Sequence, residues 1–282
     1  MTSNPAIVFV GFMGAGKSSA ASALEPLLDR CEDIDAWIER QVGMPVIEFF
    51  DAHGESEFRR VEEEVALKVL ADADGGTAIA LGGGSVLSDL VREALGYHTV
   101  VWIDVDANTA WERVSGSGER PLARERGRFD ALFEERRPLY ESIADVVLPV
   151  GDPGLVVRAL PSIRILADLP NETKLLWATS ASGEYPIFAG PGLLDAGWWP
   201  LEGRRFLVTD TSVGALYAER IGLLAARIEV EPGEGAKTIA EAERVLRELA
   251  RAGMTREDHL VALGGGVVGD LAGFCAHVYQ RG

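Results

Sequence analysis

The chain has 282 residues, a length that suggests two domains. With 47% hydrophobic and 25% charged residues it has the composition of a globular protein rather than a fibrous or disordered one. The net charge of −17 disfavours unguided attraction to nucleic acid or an anionic membrane, so any bound anion has to be held by a local arrangement of groups.

No apolar stretch approaches the roughly 18 residues that span a bilayer, and the N-terminus carries no basic segment ahead of its short apolar run. Two cysteines, Cys31 and Cys275, form no C-x-x-C pattern, which fits a reducing compartment; a cytoplasmic protein is expected.

Short apolar runs at Ala6 to Val10, Thr77 to Leu81, Thr99 to Val105 and Val146 to Val150 alternate with segments of helical period. That interleaving predicts buried parallel strands in an α/β sheet with helices on both faces. Between Glu55 and Ala71, Phe58, Val61, Val65 and Val69 share one helix face and predict a core stripe. Prolines 153, 161 and 170 close this region, and a linker is expected at residues 166–171 between domains 1–165 and 172–282.

The second part starts with strand-like runs at Leu175 to Thr179 and Tyr185 to Phe188. Strands at Arg205 to Val208, Arg227 to Val230 and Leu260 to Leu263 follow, with helices at Val213 to Ile221 and Ile239 to Ala252. Ala-Leu-Gly-Gly-Gly occurs at both 80–84 and 262–266, but the flanks differ, so two independent strand-to-glycine turns are expected rather than a duplication.

Gly11-Phe-Met-Gly-Ala-Gly-Lys17-Ser18 follows a strand and opens a helix, as the G-x-x-x-x-G-K-[ST] phosphate cradle requires. Backbone amides of Gly14, Ala15 and Gly16, with Lys17, Ser18 and Ser19, are the expected ATP contacts; the Ser18 hydroxyl is also an Mg²⁺ ligand candidate. In Asp33-Ile34-Asp35 an extended chain would project both carboxylates to one side, one holding Mg²⁺ through water and the other accepting a proton. Asp35 could instead cap a helix starting at Ala36, and Asp104 is a rival Mg²⁺ carboxylate.

Arg136 shares a helical face with Phe129, Leu132, Phe133 and Tyr140, and an inward arginine needs an anion. Pro138, two residues on, is expected to disturb that helix. Arg59 lies beside the apolar stripe, with a surface pair to Glu62 or Glu63 as the plainer alternative. Arg120, Arg124, Arg126 and Arg128 form a basic island with glycine pivots, which suits a lid over polyphosphate.

In order and spacing, Gly11 to Ser18, Asp33-Ile-Asp35, Arg59-Arg60-Val-Glu62, Leu-Gly82-Gly83-Gly84, Arg120-Pro-Leu and Arg136-Arg-Pro-Leu-Tyr140 resemble shikimate kinase over residues 5–165. The resemblance implies ATP- and Mg²⁺-dependent phosphorylation of the 3-hydroxyl of shikimate. It implies Asp35 as base and hydroxyl ligand, Asp33 assisting Mg²⁺ and Arg59 and Arg136 clamping the carboxylate. Gly83 and Gly84 would offer amides, Glu62 would orient Arg59, Arg120 would stabilise the transferring phosphoryl, and Arg113 would stack on adenine. A P-loop kinase of another small polar metabolite and a nucleotide-gated binding module without turnover are the alternatives.

Gly264-Gly-Gly-Val-Val-Gly269 satisfies G-x-G-x-x-G after a strand, a pattern that a packing turn also satisfies. With Glu231-Pro-Gly-Glu234-Gly-Ala-Lys237, Asp270 and Tyr279-Gln-Arg281, residues 172–282 resemble the N-terminal, NAD-binding part of 3-dehydroquinate synthase. That implies NAD contacts from Asp210, Glu234, Lys237, Gly265, Gly266 and Asp270, and a phosphate contact from Arg281; Ser212 stands where the family has Asn. The family's zinc ligands come from a later helical domain, and His53, His98, His259 and His277 form no ligand cluster. An incomplete dinucleotide-binding domain without synthase activity is therefore expected. The kinase half is expected to be monomeric and the C-terminal half to self-associate.

Overall fold

The computed structural model describes residues 5–115, 125–181, 183–197, 199 and 202–280. The chain forms two compact units, the first ending at Pro191 and the second beginning at Gly192.

The first unit holds a seven-stranded sheet in the order β2-β3-β1-β4-β5-β6-β7. Its strands are β1 (Ile7–Val10), β2 (Arg30–Asp33), β3 (Thr77–Ala80), β4 (Thr99–Asp104), β5 (Val146–Pro149), β6 (Lys174–Ser180) and β7 (Gly183–Ala189). All neighbours are parallel except the β6–β7 hairpin. The Ile-Val-Phe-Val of β1 is buried throughout, as a central parallel strand covered on both faces requires. β2 is one edge, and its Arg-Cys-Glu-Asp sequence carries no apolar run.

The helices of this unit are α1 (Lys17–Ala23), α2 (Ile34–Val42), α3 (Val46–Ala71), α4 (Asp89–Leu95), α5 (Ala107–Ser115), α6 (Arg126–Ile143) and α7 (Gly154–Ile165). α3 breaks at Gly54 (φ 81°, ψ 172°), and its second limb buries the expected stripe of Phe58, Val61, Val65 and Val69. α6 runs through Pro138 with Phe129, Phe133, Arg136 and Tyr140 all buried, so the proline does not end the helix. Phe12, two residues after the end of β1, meets the rings of Phe129 and Phe133 edge-on at 5.0 and 5.2 Å. Those contacts hold α6 against the phosphate loop.

The expected linker at 166–171 is not where the structure divides. Residues 166–168 are a 3₁₀ turn, and β6 pairs with β5 through Val146↔Leu175 and Val147↔Leu176. The physical reason is the open backbone edge of β5, which β6 satisfies; Leu175 N–H donates to Asp145 O at 2.8 Å and the Leu175 side chain is fully buried in the first core. Arg158 of α7 grips Glu184 of β7 with two bonds of 2.9 Å.

The second unit is a three-stranded parallel sheet, β10-β8-β9, made of β8 (Arg205–Asp210), β9 (Ala226–Val230) and β10 (His259–Leu263). Helices α9 (Ile239–Arg251) and α10 (Gly266–Val278) bury Val245, Leu249, Leu271 and Cys275 with Phe206, Val208 and Ile228. Leu207 faces a separate cluster with Ala218 and Ile221, which follow α8 (Thr211–Tyr217). Both triglycine segments leave the C-terminal ends of parallel strands, β3 and β10, as two separate turns. Among the described residues no helix is long and apolar enough to cross a membrane.

Candidate active site

Strand order in the first sheet reverses at β1, with β3 on one side and β4 on the other, and the phosphate loop leaves the C-terminal end of β1 there. Gly14 adopts φ +80°, and a methyl there would lie 2.8 Å from Ala110 O, so only glycine fits this turn. The buried Lys17 ammonium donates to Gly11 O at 2.9 Å and Phe12 O at 3.1 Å, which draws its charge across the loop. Ser18 and Ser19 are exposed on the first turn of α1.

Two cavities flank this loop. One, of about 310 Å³, is lined by Gly14, Gly16, Ser19, Arg113 and the Gly151–Pro153 turn. Arg113 donates to Gly14 O at 3.1 Å, which ties α5 to the loop. The other, of about 330 Å³, is lined by Asp35, Arg59, Glu62, Gly82, Gly83, Gly84 and Arg136 among others. Five residues expected at an acceptor site, Asp35, Arg59, Gly83, Gly84 and Arg136, from three helices and the triglycine turn, therefore meet at one hollow.

Arg59 is held by an ion pair to Glu62, whose carboxylate is only 2% exposed and also accepts from Ser85 Oγ at 3.0 Å. This is the Glu62 pairing foreseen as a surface contact, but it is buried and so fixes the guanidinium. Glu55 approaches Arg59 at 3.5 Å. Arg136 is 2% exposed and pairs with no carboxylate among the described residues. Its Nη1 reaches Gly83 O at a long 3.4 Å, and its buried Nε has no partner among the described residues. A buried guanidinium with unspent donors is a site prepared for an anion.

The aspartates differ from expectation. α2 begins at Ile34, so Asp33 is its cap, with Oδ1 accepting from Asp35 N–H at 2.9 Å and Ala36 N–H at 3.4 Å. Asp35 stands in the first helical turn rather than two residues along an extended chain; the orphan amides of a helix start dictate that one carboxylate serves them. Only Asp35 of the two lines the acceptor cavity. Asp104, the rival Mg²⁺ carboxylate, is engaged by Arg137 through bonds of 2.6 and 3.1 Å. Arg120 and Arg124 lie outside the described residues.

One residue is expected from sequence as core and as the end of the Arg136 motif, with no role of its own. Tyr140 is buried and its hydroxyl donates to Gly83 O at 2.5 Å. Burial pushes the phenol far above its ordinary range, so it stays a donor.

In the second unit, the C-terminal ends of β8 and β10 carry Asp210 and the Gly264–Gly266 turn side by side, again where strand order reverses. Asp210 caps α8, accepting from Ser212 and Val213 N–H at 2.9 and 2.8 Å. Lys237 pairs with Asp270 at 2.7 Å and Glu234 at 3.4 Å. Gly265 and Gly266, at the start of α10, have nothing within 4 Å of where a side chain would begin. Arg281 lies outside the described residues.

Residues 13–154 match the shikimate kinase family, and residues 227–282 match the N-terminal part of 3-dehydroquinate synthase. The shikimate kinase of Mycobacterium marinum is 40% identical over 184 residues, covering 63% of this chain and 98% of that protein. The one from Mycobacterium avium is 41% identical over 164 residues, with coverage of 56% and 92%. A solved shikimate kinase from Acinetobacter baumannii in complex with shikimate superposes with a TM-score of 0.52 at 27% identity, covering 56% of this chain and 92% of that one.

Proposed function

The chain belongs to the shikimate kinase family, and from that premise we propose that it transfers the γ-phosphoryl of ATP to the 3-hydroxyl of shikimate. The observation that carries this reading is the buried Arg136, without a carboxylate partner among the described residues, lining one hollow with Asp35 and Arg59 beside the phosphate loop. Two arginines suit a carboxylate, and one aspartate suits a hydroxyl.

In the reaction, loop amides and Lys17 hold the polyphosphate in the cavity lined by Arg113. Arg59, stiffened by Glu62, and Arg136 bind the acceptor carboxylate and so orient the ring. Asp35 accepts the proton of the attacking hydroxyl. Arg120 is assigned to the charge that develops on the transferring group. Mg²⁺ bound with ATP would neutralise phosphate charge; Ser18 Oγ would hold it directly and the Asp33 carboxylate through water. Shikimate-dependent ADP formation tests the assignment, and ATP consumption no faster with shikimate than without it would refute it.

The second unit is assigned to NAD. The support is chemical: Asp210 beside Gly264, an uncrowded glycine pair opening a 13-residue helix, and a Lys237–Asp270 pair together suit a ribose and a pyrophosphate. Zinc does not fit these residues, since among those described no three His, Cys, Asp or Glu side chains converge. Calorimetric titration with NAD is the check, and an absence of heat at millimolar NAD would remove this assignment. A cytoplasmic setting agrees with the two free cysteines. The kinase unit is assigned as a monomer and the second unit as self-associating, for which exposed Phe274 and Val278 on α10 are the support.

A further inference from the structure

Three consecutive glycines form one wall of the acceptor cavity, and a triglycine has more backbone freedom to lose than any other tripeptide. Each of its carbonyls is held. Gly82 O accepts from Ser85 N–H at 3.1 Å and Gly84 O from Leu87 N–H at 3.0 Å, both local bonds of the 3₁₀ turn at Ser85–Leu87. Gly83 O has no backbone donor among the described residues. It is held from 57 residues away by the Tyr140 hydroxyl at 2.5 Å, with the longer 3.4 Å approach of Arg136 beside it.

A trans peptide directs its C=O and N–H to opposite sides. The group that fixes Gly83 O therefore also aims the N–H of Gly84. Tyr140 is buried behind the wall and is not among the cavity-lining residues, so its bond draws the carbonyl back and leaves the Gly84 amide directed forward. Neither Gly83 nor Gly84 N–H donates to any acceptor among the described residues. We infer that Tyr140 is a positioning residue for the acceptor: its hydroxyl locks the Gly83–Gly84 peptide plane and so presents the Gly84 amide to the substrate. The inference rests on the shikimate kinase reading above.

The ring of Tyr140 fills core, and the hydroxyl does the positioning; Tyr140→Phe separates the two. The variant should raise the KM for shikimate about tenfold, leave the KM for ATP within twofold of wild type, and lower kcat less than it raises the shikimate KM. Equal rises in both KM values, or unchanged constants, would overturn the inference, since a general packing role moves both sites or neither. Wild-type protein that fails to phosphorylate shikimate would instead remove the function on which the inference rests. Should the variant not fold, wild-type protein labelled with ¹⁵N-glycine carries the test. Saturating shikimate should displace the Gly84 amide resonance, and an unmoved resonance overturns the inference.

Discussion

The guanidinium of Arg59 lies so close over the α-carbon of Gly84 that a methyl group on that carbon would overlap it. The arginine cannot retreat freely, because Glu62 behind it is itself fixed by Ser85. Gly84→Ala should therefore displace Arg59 and lower kcat/KM for shikimate by about 10² while ATP binding stays intact. Steady-state kinetics varying each substrate in turn checks this, and an unaltered shikimate KM would show that Arg59 does not hold the acceptor.

Arg136 and Asp35 should fail in different ways. Arg136→Ala removes a buried positive charge from the acceptor site, so shikimate affinity falls with ATP affinity unchanged. Asp35→Asn keeps the shape of the cavity but removes the proton acceptor, so turnover collapses while ATP still binds. Arg120→Ala should chiefly lower turnover, by about 10³ if it acts as an arginine finger. Single-turnover measurements alongside direct ATP titration separate these outcomes, and a turnover-competent Asp35→Asn would take the base role from Asp35.

What could be read from the chain depended on how local the cause was. The phosphate loop was legible because Gly14, Gly16, Lys17 and Ser18 act within one turn, and Arg136 because its helical face lies within a dozen residues. Strand β2 was not, since a polar edge strand carries no apolar run. The cap falls on Asp33 rather than Asp35 because α2 starts two residues earlier than the sequence suggests. Tyr140 stood in the core face and in the Arg136 motif without a role of its own, as its partner Gly83 is a backbone oxygen brought close only by tertiary packing. The hairpin β6–β7 was assigned to the wrong side of the boundary for the same reason: which strand fills the edge of β5 is not written in the local pattern.

Stability should also depend on His98. Burial holds its imidazole below the ordinary 6.5, and its Nδ1 is enclosed without a partner among the described residues. The unfolded chain takes up a proton near pH 6.5 and the folded chain only at lower pH. This group's contribution is thus fully present above pH 6.5 and is lost as pH falls through the folded value. Urea unfolding at several pH values should show His98→Asn flattening the decline between neutral and mildly acid pH; a slope identical to wild type would exclude His98 as its source.

The hairpin gives the last prediction. Leu175 is fully buried among first-unit residues, and Leu175 N–H, together with the Lys174 ammonium, bonds to the carbonyls of Asp145 and Ala144 at the start of β5. Leu175→Ala should cost about 2–5 kcal/mol. For a unit of this size that corresponds to a fall of roughly 5–15 °C in the midpoint of the first unit. Arg158→Ala, which breaks an exposed pair with Glu184, should leave that midpoint almost where it was. Heating each variant and assaying the surviving shikimate-dependent ADP formation reads the stability of the kinase unit alone. If the hairpin belonged instead to the second unit, Leu175→Ala would leave that inactivation temperature where it was. A large fall for Leu175→Ala with little change for Arg158→Ala identifies apolar burial, rather than the ion pair, as what joins the hairpin to the sheet.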